Sequence, residues 1–263
     1  MREINKTIWL LWLQGWDNIG WLTQQVLESW ELNNPGWKVV KLCEDNLREY
    51  TSGIEYMYDP SKNITPQAKS DIIRLSLLKN HGGVWADATL LCMQPLDSWI
   101  YDAIEPSGIW MYHGTGGGMD VKHGPASWFI VSQKNNYMIE RWKTYCDMYW
   151  KKNNKTDNYY WLDAIFKALH NNDKQFREIW SKVPYINCEE DGQSHCMAYH
   201  DKMVRSDEHI KELFRTKPPY ALKFWKKWYQ HFPDSNSEVC QESNGYYAIT
   251  MSKRTDIVYK HFG

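Results

Sequence analysis

Two oppositely charged residues in the middle of the chain are spaced to bind a polar ligand together. Asp71 and Arg74 are three residues apart in a stretch with helical periodicity, so they share one helix face. Leu75 and Leu78 continue that face, which indicates that the charged pair points toward the protein. A carboxylate accepts hydrogen bonds from hydroxyl groups, and a guanidinium donates them to hydroxyl and phosphate oxygens. The pair therefore predicts a ligand contact, or else an internal ion pair that fixes the helix, which gains little net stability.

A third charged residue follows an apolar segment. Asp87 comes directly after Val84-Trp85-Ala86, which has the composition of a buried strand. In an open α/β sheet, the residue after such a strand faces the ligand crevice. A carboxylate at that position can bind a hard divalent cation through oxygen. We therefore expect Asp87 at a binding or catalytic site.

One helix and one strand must position these three residues. Thr65 is a candidate N-cap, and Pro66 suits the first helical position, where a missing N–H costs nothing. The helix should end at His81-Gly82-Gly83, because glycine takes a left-handed turn without strain. The strand then begins at Val84. Residues 65–91 therefore predict a helix, a glycine turn and a strand that ends at Asp87.

The flanking segments predict an α/β fold. Residues 6–15 read as a buried strand, 19–32 as a helix and 37–42 as a half-buried strand. Strand-helix-strand order favours a parallel sheet. Further strands are predicted near 109–112 and 127–131, and amphipathic helices at 136–152 and 157–170. No repeat or linker interrupts the 263 residues, so we expect one domain.

Composition restricts the possible functions. The chain has 31 basic and 32 acidic residues and a net charge of −1, which argues against general nucleic-acid binding. It has 16 tryptophans and 17 tyrosines. Aromatic faces stack on sugars and bases, so this surplus is compatible with a carbohydrate or nucleotide site, although most of the rings should be core.

The cysteines and the hydropathy indicate where the protein acts. The six cysteines show neither a C-x-x-C pattern nor zinc-ligand spacing, which is typical of reduced, intracellular chains. We find no signal peptide and no apolar run of about 20 residues. A cytoplasmic location is therefore expected. Residues 224–229 mix lysines with aromatic rings, which fits either a peripheral contact with a membrane or a packed helix end.

The central segment also carries a family resemblance. The stretch SDIIRLSLLKNHGGVWADAT resembles the signature of glycosyltransferase family 32, a DXD-type sugar transferase family, and within it the capsular polysaccharide synthesis proteins. The resemblance begins near residue 6 and thins beyond residue 180. It implies an A-type glycosyltransferase with a Rossmann-like nucleotide-binding sheet flanked by helices. It also implies a nucleotide-sugar-binding part over about 1–112 and a part with helical additions on the acceptor side over about 113–263.

The resemblance implies a donor-binding role for a set of residues from several segments. Trp12, Gln14 and Gly15 take the places of a loop that cradles the nucleotide base, although a core tryptophan and a plain turn remain an alternative. Ser127 stands where the family commonly has asparagine, which weakens the inference there. The donor-binding set is Trp12, Gln14, Gly15, Asp71, Arg74, Trp85, Asp87, Thr89 and Ser127.

The resemblance further implies a metal ion. Asp87 is the expected ligand of Mn²⁺ or Mg²⁺, which would neutralise the leaving diphosphate. Thr89 stands where many relatives have the second aspartate of Asp-x-Asp, and a hydroxyl is a poor metal ligand. The ion would then depend on the phosphates, on water and on a late residue, either His195 or Asp191. We therefore expect weak affinity for the metal.

The expected activity is transfer of a hexose-type sugar from a nucleotide-sugar to a glycan or lipid-linked saccharide, with retention of configuration, in surface polysaccharide synthesis. Asp87 and Asp163 are the expected catalytic residues. Asp163 is expected on the acceptor side, and the alternative is an acidic residue on a solvent-exposed helix face. The glycine-rich loop 114–118 is either a flap near the acceptor or merely flexible. The alternatives to a transferase are a non-catalytic carbohydrate-binding protein and an inactive transferase fold.

Overall fold

The structure is a computed structural model. It describes residues 2–114, 124–188, 216 and 219–223. Several sequence predictions fall outside these residues: the metal ligands His195 and Asp191, the aromatic and basic stretch 224–229, and most of the glycine-rich loop.

The chain divides into two compact units. The first unit comprises Met1–Trp16, Gly36–Asp87 and Trp99–Tyr185, and the second comprises Asp17–Pro35, Ala88–Ser98 and Ile186–Gly263. The expectation of a single domain with a division near residue 112 stays a prediction. Asp71, Arg74 and Asp87 lie in the first unit.

Seven strands occur in the residues that the structure describes. They are β1 (Thr7–Leu11), β2 (Lys38–Leu42), β3 (Gly83–Ala86), β4 (Leu90–Cys92), β5 (Ile109–His113), β6 (Pro125–Ser132) and β7 (Ala221–Lys223). Five of them form the sheet of the first unit, in the order β2-β1-β3-β6-β5. The β1–β2 and β1–β3 pairs are parallel, whereas β3–β6 and β5–β6 are antiparallel. The parallel pairs confirm the predicted α/β class.

Helices connect and flank these strands. The α-helices are α1 (Trp21–Asn33), α2 (Leu47–Tyr50), α3 (Pro66–His81), α4 (Ile100–Ile104), α5 (Tyr137–Lys152), α6 (Trp161–Asn172) and α7 (Lys174–Trp180), with 3₁₀ turns at Glu55–Tyr58 and Leu96–Ser98. The predicted helices at 19–32, 136–152 and 157–170 correspond to α1, α5 and α6. In the described part of the chain, none of the helices has the length and apolar character that crossing a bilayer requires.

Helix α3 has the termini that the sequence predicts. The Thr65 side chain accepts a hydrogen bond from the backbone N–H of Ala68, and Pro66 occupies the first turn. At the other end, Gly82 has φ 68° and donates its N–H to the carbonyl of Leu78. These local signals determine where the helix starts and stops.

Two glycines allow α3 and β3 to join tightly. Gly83 has φ +95°, and a Cβ atom there would lie 2.5 Å from the carbonyl oxygen of Thr7 in β1. A Cβ on Gly82 would lie 2.5 Å from the backbone nitrogen of Lys134. Both neighbours are backbone atoms that cannot move aside, so only glycine fits the connection. This junction fixes Asp71 and Arg74 on α3 relative to Asp87 after β3.

The core of the first unit is rich in aromatic residues, as expected for most of the rings. Trp110 packs edge-on against Trp99, Tyr112 and Phe129, with ring centroids 4.8 to 5.6 Å apart. On the helical side, Trp142 packs against Phe166 at 5.0 Å. Such edge-to-face contacts add to the stabilisation from burial alone.

The second unit has its own small sheet. Strand β4 pairs antiparallel with β7, so that Leu90 lies opposite Lys223. The indole N–H of Trp30 on α1 donates to the carbonyl of Leu90 at 2.7 Å. Thr89, which directly precedes β4, belongs to this unit.

Candidate functional site

Asp87 lies at the carboxyl end of β3, as predicted. Its backbone N–H donates to the carbonyl of Trp128 at 3.0 Å, so the ladder between β3 and β6 continues to this residue. Strand β1 runs parallel to β3, with Trp9 opposite Trp85. The loop that follows β1 therefore leaves the sheet at the same edge as Asp87.

Arg74 links helix α3 to strand β6 and to the end of β3. Its Nη1 donates to Oδ1 of Asp71 and to Oγ of Ser127, both at 2.7 Å. Its Nη2 donates to Oδ1 of Asp87 and to Oγ of Ser70, both at 3.2 Å. A planar guanidinium can make several such contacts at once, which a lysine cannot. The predicted pair of Asp71 and Arg74 thus becomes a cluster that includes Asp87.

Trp85 supports this cluster from the interior. Its indole N–H donates to Oδ1 of Asp87 at 3.0 Å, and the guanidinium of Arg74 lies 5.3 Å from its ring centroid. The Trp85 side chain is only 1% exposed. In this position the ring orients the carboxylate and stacks on the cation. The predicted donor contact of Trp85 stays a prediction.

The charged side chains differ in their access to solvent. The Arg74 side chain is 7% exposed, that of Asp71 15% and that of Asp87 23%. The cation therefore lies deepest, and the two carboxylates retain an open side. Among the residues that the structure describes, the buried Nε atom of Arg74 has no hydrogen-bond partner, which is an exception to the pairing of buried polar atoms.

Burial changes the protonation of Asp71. It raises the pKa of this carboxyl to about 6, against the lowering effect of Arg74. The negative charge of Asp87 raises it further, and a hydrogen bond from the Trp161 side chain lowers it. Asp71 therefore gains or loses its proton near pH 6, well above the range of an ordinary aspartate.

Asp163 and Tyr159 belong to the same electrostatic neighbourhood. Burial and then the charge of Asp71 raise the pKa of Asp163 to about 7. Partial burial of its hydroxyl, then the charges of Asp71 and Asp87, raise the pKa of Tyr159. The Tyr159 ring itself is 67% exposed. The structure therefore brings the predicted acceptor-side carboxylate within electrostatic reach of Asp71 on α3.

The loop after β1 forms a tight turn. The N–H of Gly15 donates to the carbonyl of Trp12 at 3.0 Å, and Gly15 has φ +90°. The N–H of Trp12 donates to the carbonyl of Leu42 at the end of β2. Trp12 is half-buried and Gln14 is exposed. The turn lies at the sheet edge where a ligand is expected, and its contact with a nucleotide base stays a prediction.

Thr89 accepts a hydrogen bond from a lysine side chain. The Nζ of Lys223 donates to Oγ1 of Thr89 at 2.8 Å, and both residues lie in the second unit. The late segment around Lys223 had no assigned role in the sequence. A threonine hydroxyl that accepts a bond from an ammonium group is a still weaker metal ligand than a free one.

The described residues do not fit a divalent ion held by the protein alone. No group of three or more His, Cys, Asp or Glu residues among them could hold a metal. Oδ1 of Asp87 already accepts bonds from Arg74 and Trp85. Binding of Mn²⁺ or Mg²⁺, and the roles of His195 and Asp191, stay predictions.

Three contacts of the predicted site residues were missed in the sequence. Ser70 accepts from Arg74 four residues later, a spacing that places both on one helix face. Trp161 reaches Asp71 from α6, and Lys223 reaches Thr89 across 134 residues. Helical spacing could have indicated Ser70. The other two depend on tertiary contacts that leave no local signal.

Comparisons with known proteins show what the chain is similar to. A family model described as capsular polysaccharide synthesis protein matches residues 1–239. The glycosyltransferase afumC from Aspergillus fumigatus (strain CBS 144.89 / FGSC A1163 / CEA10) is 28% identical over 160 residues, which are 55% of this chain and 38% of that protein. The chain thus spans well under half the length of this relative.

A solved structure, the PaToxG glycosyltransferase, aligns over 65% of this chain and 69% of that chain, with a TM-score of 0.47 and 17% identity. The family match covers most of the sequence and includes the segment from Asp71 to Asp87. The resemblance noted in the sequence is thereby confirmed, and the chain belongs to the family of capsular polysaccharide synthesis proteins.

Proposed function

We propose that the protein is an A-type glycosyltransferase. It moves a hexose-type sugar from a nucleotide-sugar donor to a glycan or lipid-linked saccharide acceptor, in the synthesis of a surface polysaccharide. The observation that carries this proposal is the cluster in which Arg74 holds Asp71 and Asp87 at the carboxyl edge of the sheet. Membership of the family supports it.

The cluster suits a donor with hydroxyl and phosphate groups. Asp71 keeps an open side and can accept hydrogen bonds from sugar or ribose hydroxyls. The guanidinium of Arg74 orients Asp71 and Asp87 without neutralising either completely. The turn at Trp12 and Gly15 leaves the sheet at the same edge, where a nucleotide base can stack. The nearness of the cluster and the turn at one edge of the sheet supports binding of such a donor there.

The reaction breaks one C–O bond and forms another. The bond between the anomeric carbon and the diphosphate oxygen breaks, and its electron pair stays on the diphosphate. The acceptor hydroxyl oxygen forms the new bond to the anomeric carbon, and its proton passes to the departing phosphate. Attack on the face that the leaving group vacates retains the configuration.

Asp163 would act on the acceptor side. Its pKa of about 7 means that it is partly ionised near neutral pH. In the ionised form it accepts a hydrogen bond from the acceptor hydroxyl and positions it for attack. A covalent route would instead require a sugar bound to a carboxylate. Finding a glycosylated Asp163 peptide by mass spectrometry would overturn same-face attack.

A hydrolysis assay tests the proposal. The protein would be incubated with a panel of UDP- and GDP-sugars without acceptor, with Mn²⁺ or with EDTA, and nucleotide release would be measured. We expect turnover of at least one donor and a loss of about 100-fold or more in Asp87→Asn, since the carboxylate would hold the cation that neutralises the departing diphosphate. Asp157→Asn changes an 82% exposed carboxylate and should leave the rate unchanged.

A binding measurement beside the hydrolysis assay separates the alternatives. A thermal-shift screen with the same donors reports binding, because a ligand that binds only the native state raises its melting temperature. Binding of free saccharides without any effect of nucleotide-sugars would indicate a carbohydrate-binding protein. Binding of nucleotide-sugars without turnover would indicate an inactive transferase fold. Either result contradicts the proposed catalysis.

A further inference from the structure

A polar cleft lies between α5, α6 and the start of α7, within the first unit. Its volume is about 450 Å³, which is in the range of sites that bind small molecules. The residues that line this α5–α6 cleft include Arg141 and Tyr145 from α5 and Asn172 from α6. None of them belongs to the donor-binding set or to the expected catalytic residues. The cleft is therefore a candidate for a second binding site.

The guanidinium of Arg141 is held in place but only partly used. Its Nε donates to Oδ2 of Asp173 at 3.0 Å, and the hydroxyl of Tyr137 donates to the same oxygen at 2.9 Å. The group also lies 5.2 Å from the ring centroid of Tyr145. Its Nη1 and Nη2 atoms make no hydrogen bond to the residues that the structure describes, and the side chain is 36% exposed. The edge that carries these two donors is available to a ligand.

The available groups suit a sugar with a carboxylate. Two parallel N–H donors of a guanidinium bind both oxygens of a carboxylate together. Because Asp173 and Tyr145 already fix the guanidinium, little conformational freedom is lost when a ligand binds. The Tyr145 ring is 37% exposed and offers an apolar surface to the C–H groups of a sugar. The Asn172 amide donates to the carbonyl of Ala168 at 2.8 Å, which leaves its oxygen to accept from a hydroxyl.

The same pair of helices connects the cleft with the donor cluster. Arg141, Tyr145 and Tyr149 follow one another at four-residue intervals on α5, so they form one stripe. At its far end, the Tyr149 ring lies 5.3 Å from that of Trp161 on α6, whose side chain donates to Asp71. The helical rise between Arg141 and Tyr149 amounts to about 12 Å. An oligosaccharide spans such a distance, whereas a single sugar does not.

We propose that the α5–α6 cleft binds a carboxylate-bearing sugar residue of the acceptor glycan, remote from the sugar that receives the transferred group. The free edge of Arg141 binds the carboxylate, the Tyr145 ring contacts the sugar ring, and Asn172 accepts from a hydroxyl. Binding in the cleft orients the glycan along α5 and favours longer, acidic acceptors. No covalent bond is made or broken there. This inference rests on the proposed use of a saccharide acceptor and names its class.

Binding of uronic-acid oligosaccharides tests the inference. The probes are tetramers that contain galacturonate or glucuronate, together with the same tetramers after reduction of their carboxyl groups to hydroxymethyl groups. Saturation-transfer NMR titration detects weak binding of each probe. The wild-type protein should bind at least one acidic tetramer about 10-fold or more tightly than its reduced form. Arg141→Met should weaken that binding by about 10- to 100-fold, the effect of losing hydrogen bonds to a charged group.

Two further variants test the aromatic ring. Tyr145→Ala removes the contact with the sugar and the support of the guanidinium, so it should weaken binding by about 3- to 10-fold. Tyr145→Phe keeps the ring and should retain the affinity. Lys155→Met, which removes a 66% exposed lysine outside the cleft, is the control for charge. Circular dichroism melting shows whether each variant is folded, and the Tyr145 variants provide the test even if Arg141→Met does not fold.

The outcomes are distinct. Preference for an acidic tetramer that Arg141→Met and Tyr145→Ala lose, and that Tyr145→Phe and Lys155→Met keep, supports the inference. Absence of binding by all the tetramers, equal binding of acidic and reduced forms, or binding that Arg141→Met and Tyr145→Ala leave unchanged overturns it. Hydrolysis of a nucleotide-sugar by the wild-type protein would still support the proposed function in those cases. Binding of acidic tetramers without hydrolysis of any donor would overturn the proposed function and, with it, the acceptor role of the cleft.

Discussion

The guanidinium of Arg74 donates from Nη2 to Oδ1 of Asp87 at 3.2 Å, although 13 residues separate them. The same guanidinium donates to Asp71 on its own helix at 2.7 Å. One buried cation therefore holds two carboxylates that come from a helix and from the end of a strand. The stability and the protonation of the candidate site both depend on this arrangement.

Replacing Arg74 should destabilise the protein strongly. In Arg74→Met, Asp71 and Asp87 lose their common cation, and breaking a buried pair in this way typically costs about 3–5 kcal/mol. Urea unfolding at pH 7.5 would measure the loss in the free energy of unfolding. The deficit should shrink at pH 5, because the unpaired carboxylates then take up protons.

An exposed ion pair provides the control for Arg74. Lys155 and Asp157 lie 3.2 Å apart with side chains 66% and 82% exposed. Lys155→Met should change the free energy of unfolding by less than about 1 kcal/mol. Equal losses in the Arg74 and Lys155 variants would contradict the central role given to the buried cation.

The pKa of Asp163 predicts a specific pH dependence of stability. Its value of about 7 in the native state lies above that of an unfolded aspartate, about 4, so the native state binds more protons between these limits. This carboxyl therefore costs stability as the pH rises from about 4 to 7, and the full cost is present above pH 7. In Asp163→Asn the cost is removed.

Denaturant unfolding of Asp163→Asn at pH 5 and at pH 8 measures this effect. The variant's free energy of unfolding, relative to that of the wild type, should be about 1–3 kcal/mol higher at pH 8 than at pH 5. Asp157→Asn, at an exposed position, should show the same difference from wild type at both pH values. A pH-independent difference for Asp163→Asn would contradict its raised pKa.

A hydrogen bond to Asp71 makes a further prediction about protonation. The Trp161 side chain donates to this carboxyl and lowers its pKa. Trp161→Phe removes the donor but keeps a ring against Tyr149 and Trp150. The pKa of Asp71 should then rise by about 0.5–1 unit, which corresponds to one hydrogen bond of about 1 kcal/mol. Carbon NMR titration of labelled aspartate side chains would detect the rise, and an unchanged value would disprove the contact.

The glycine junction between α3 and β3 should tolerate no side chain. Gly83→Ala places a Cβ atom 2.5 Å from the carbonyl oxygen of Thr7 in a backbone with φ +95°. Strain and steric overlap together should lower the free energy of unfolding by about 3 kcal/mol or more. Gly36→Ala has no atom within 4 Å of its Cβ and should be close to neutral. Similar values for the two variants would show that the junction can relax.

The sequence by itself predicted the local elements correctly. Thr65, Pro66 and Gly82 set the ends of α3 through caps and turns that act within a few residues. The apolar run before Asp87 indicated a buried strand that ends at this residue. Spacing alone also showed that Asp71 and Arg74 share a helix face, and their ion pair is present in the structure. These features depend on backbone preferences and on periodicity, which are read directly from neighbouring residues.

Only the tertiary structure decided how these elements meet. The contact of Arg74 with Ser127 depends on the antiparallel register of β6 against β3, across 53 residues. The raised pKa values of Asp71 and Asp163 result from burial and from mutual repulsion in space. The bond from Lys223 to Thr89 joins residues 134 positions apart through the pairing of β4 with β7. Long-range pairing and burial are properties of the assembled fold, so no local pattern in the sequence encodes them.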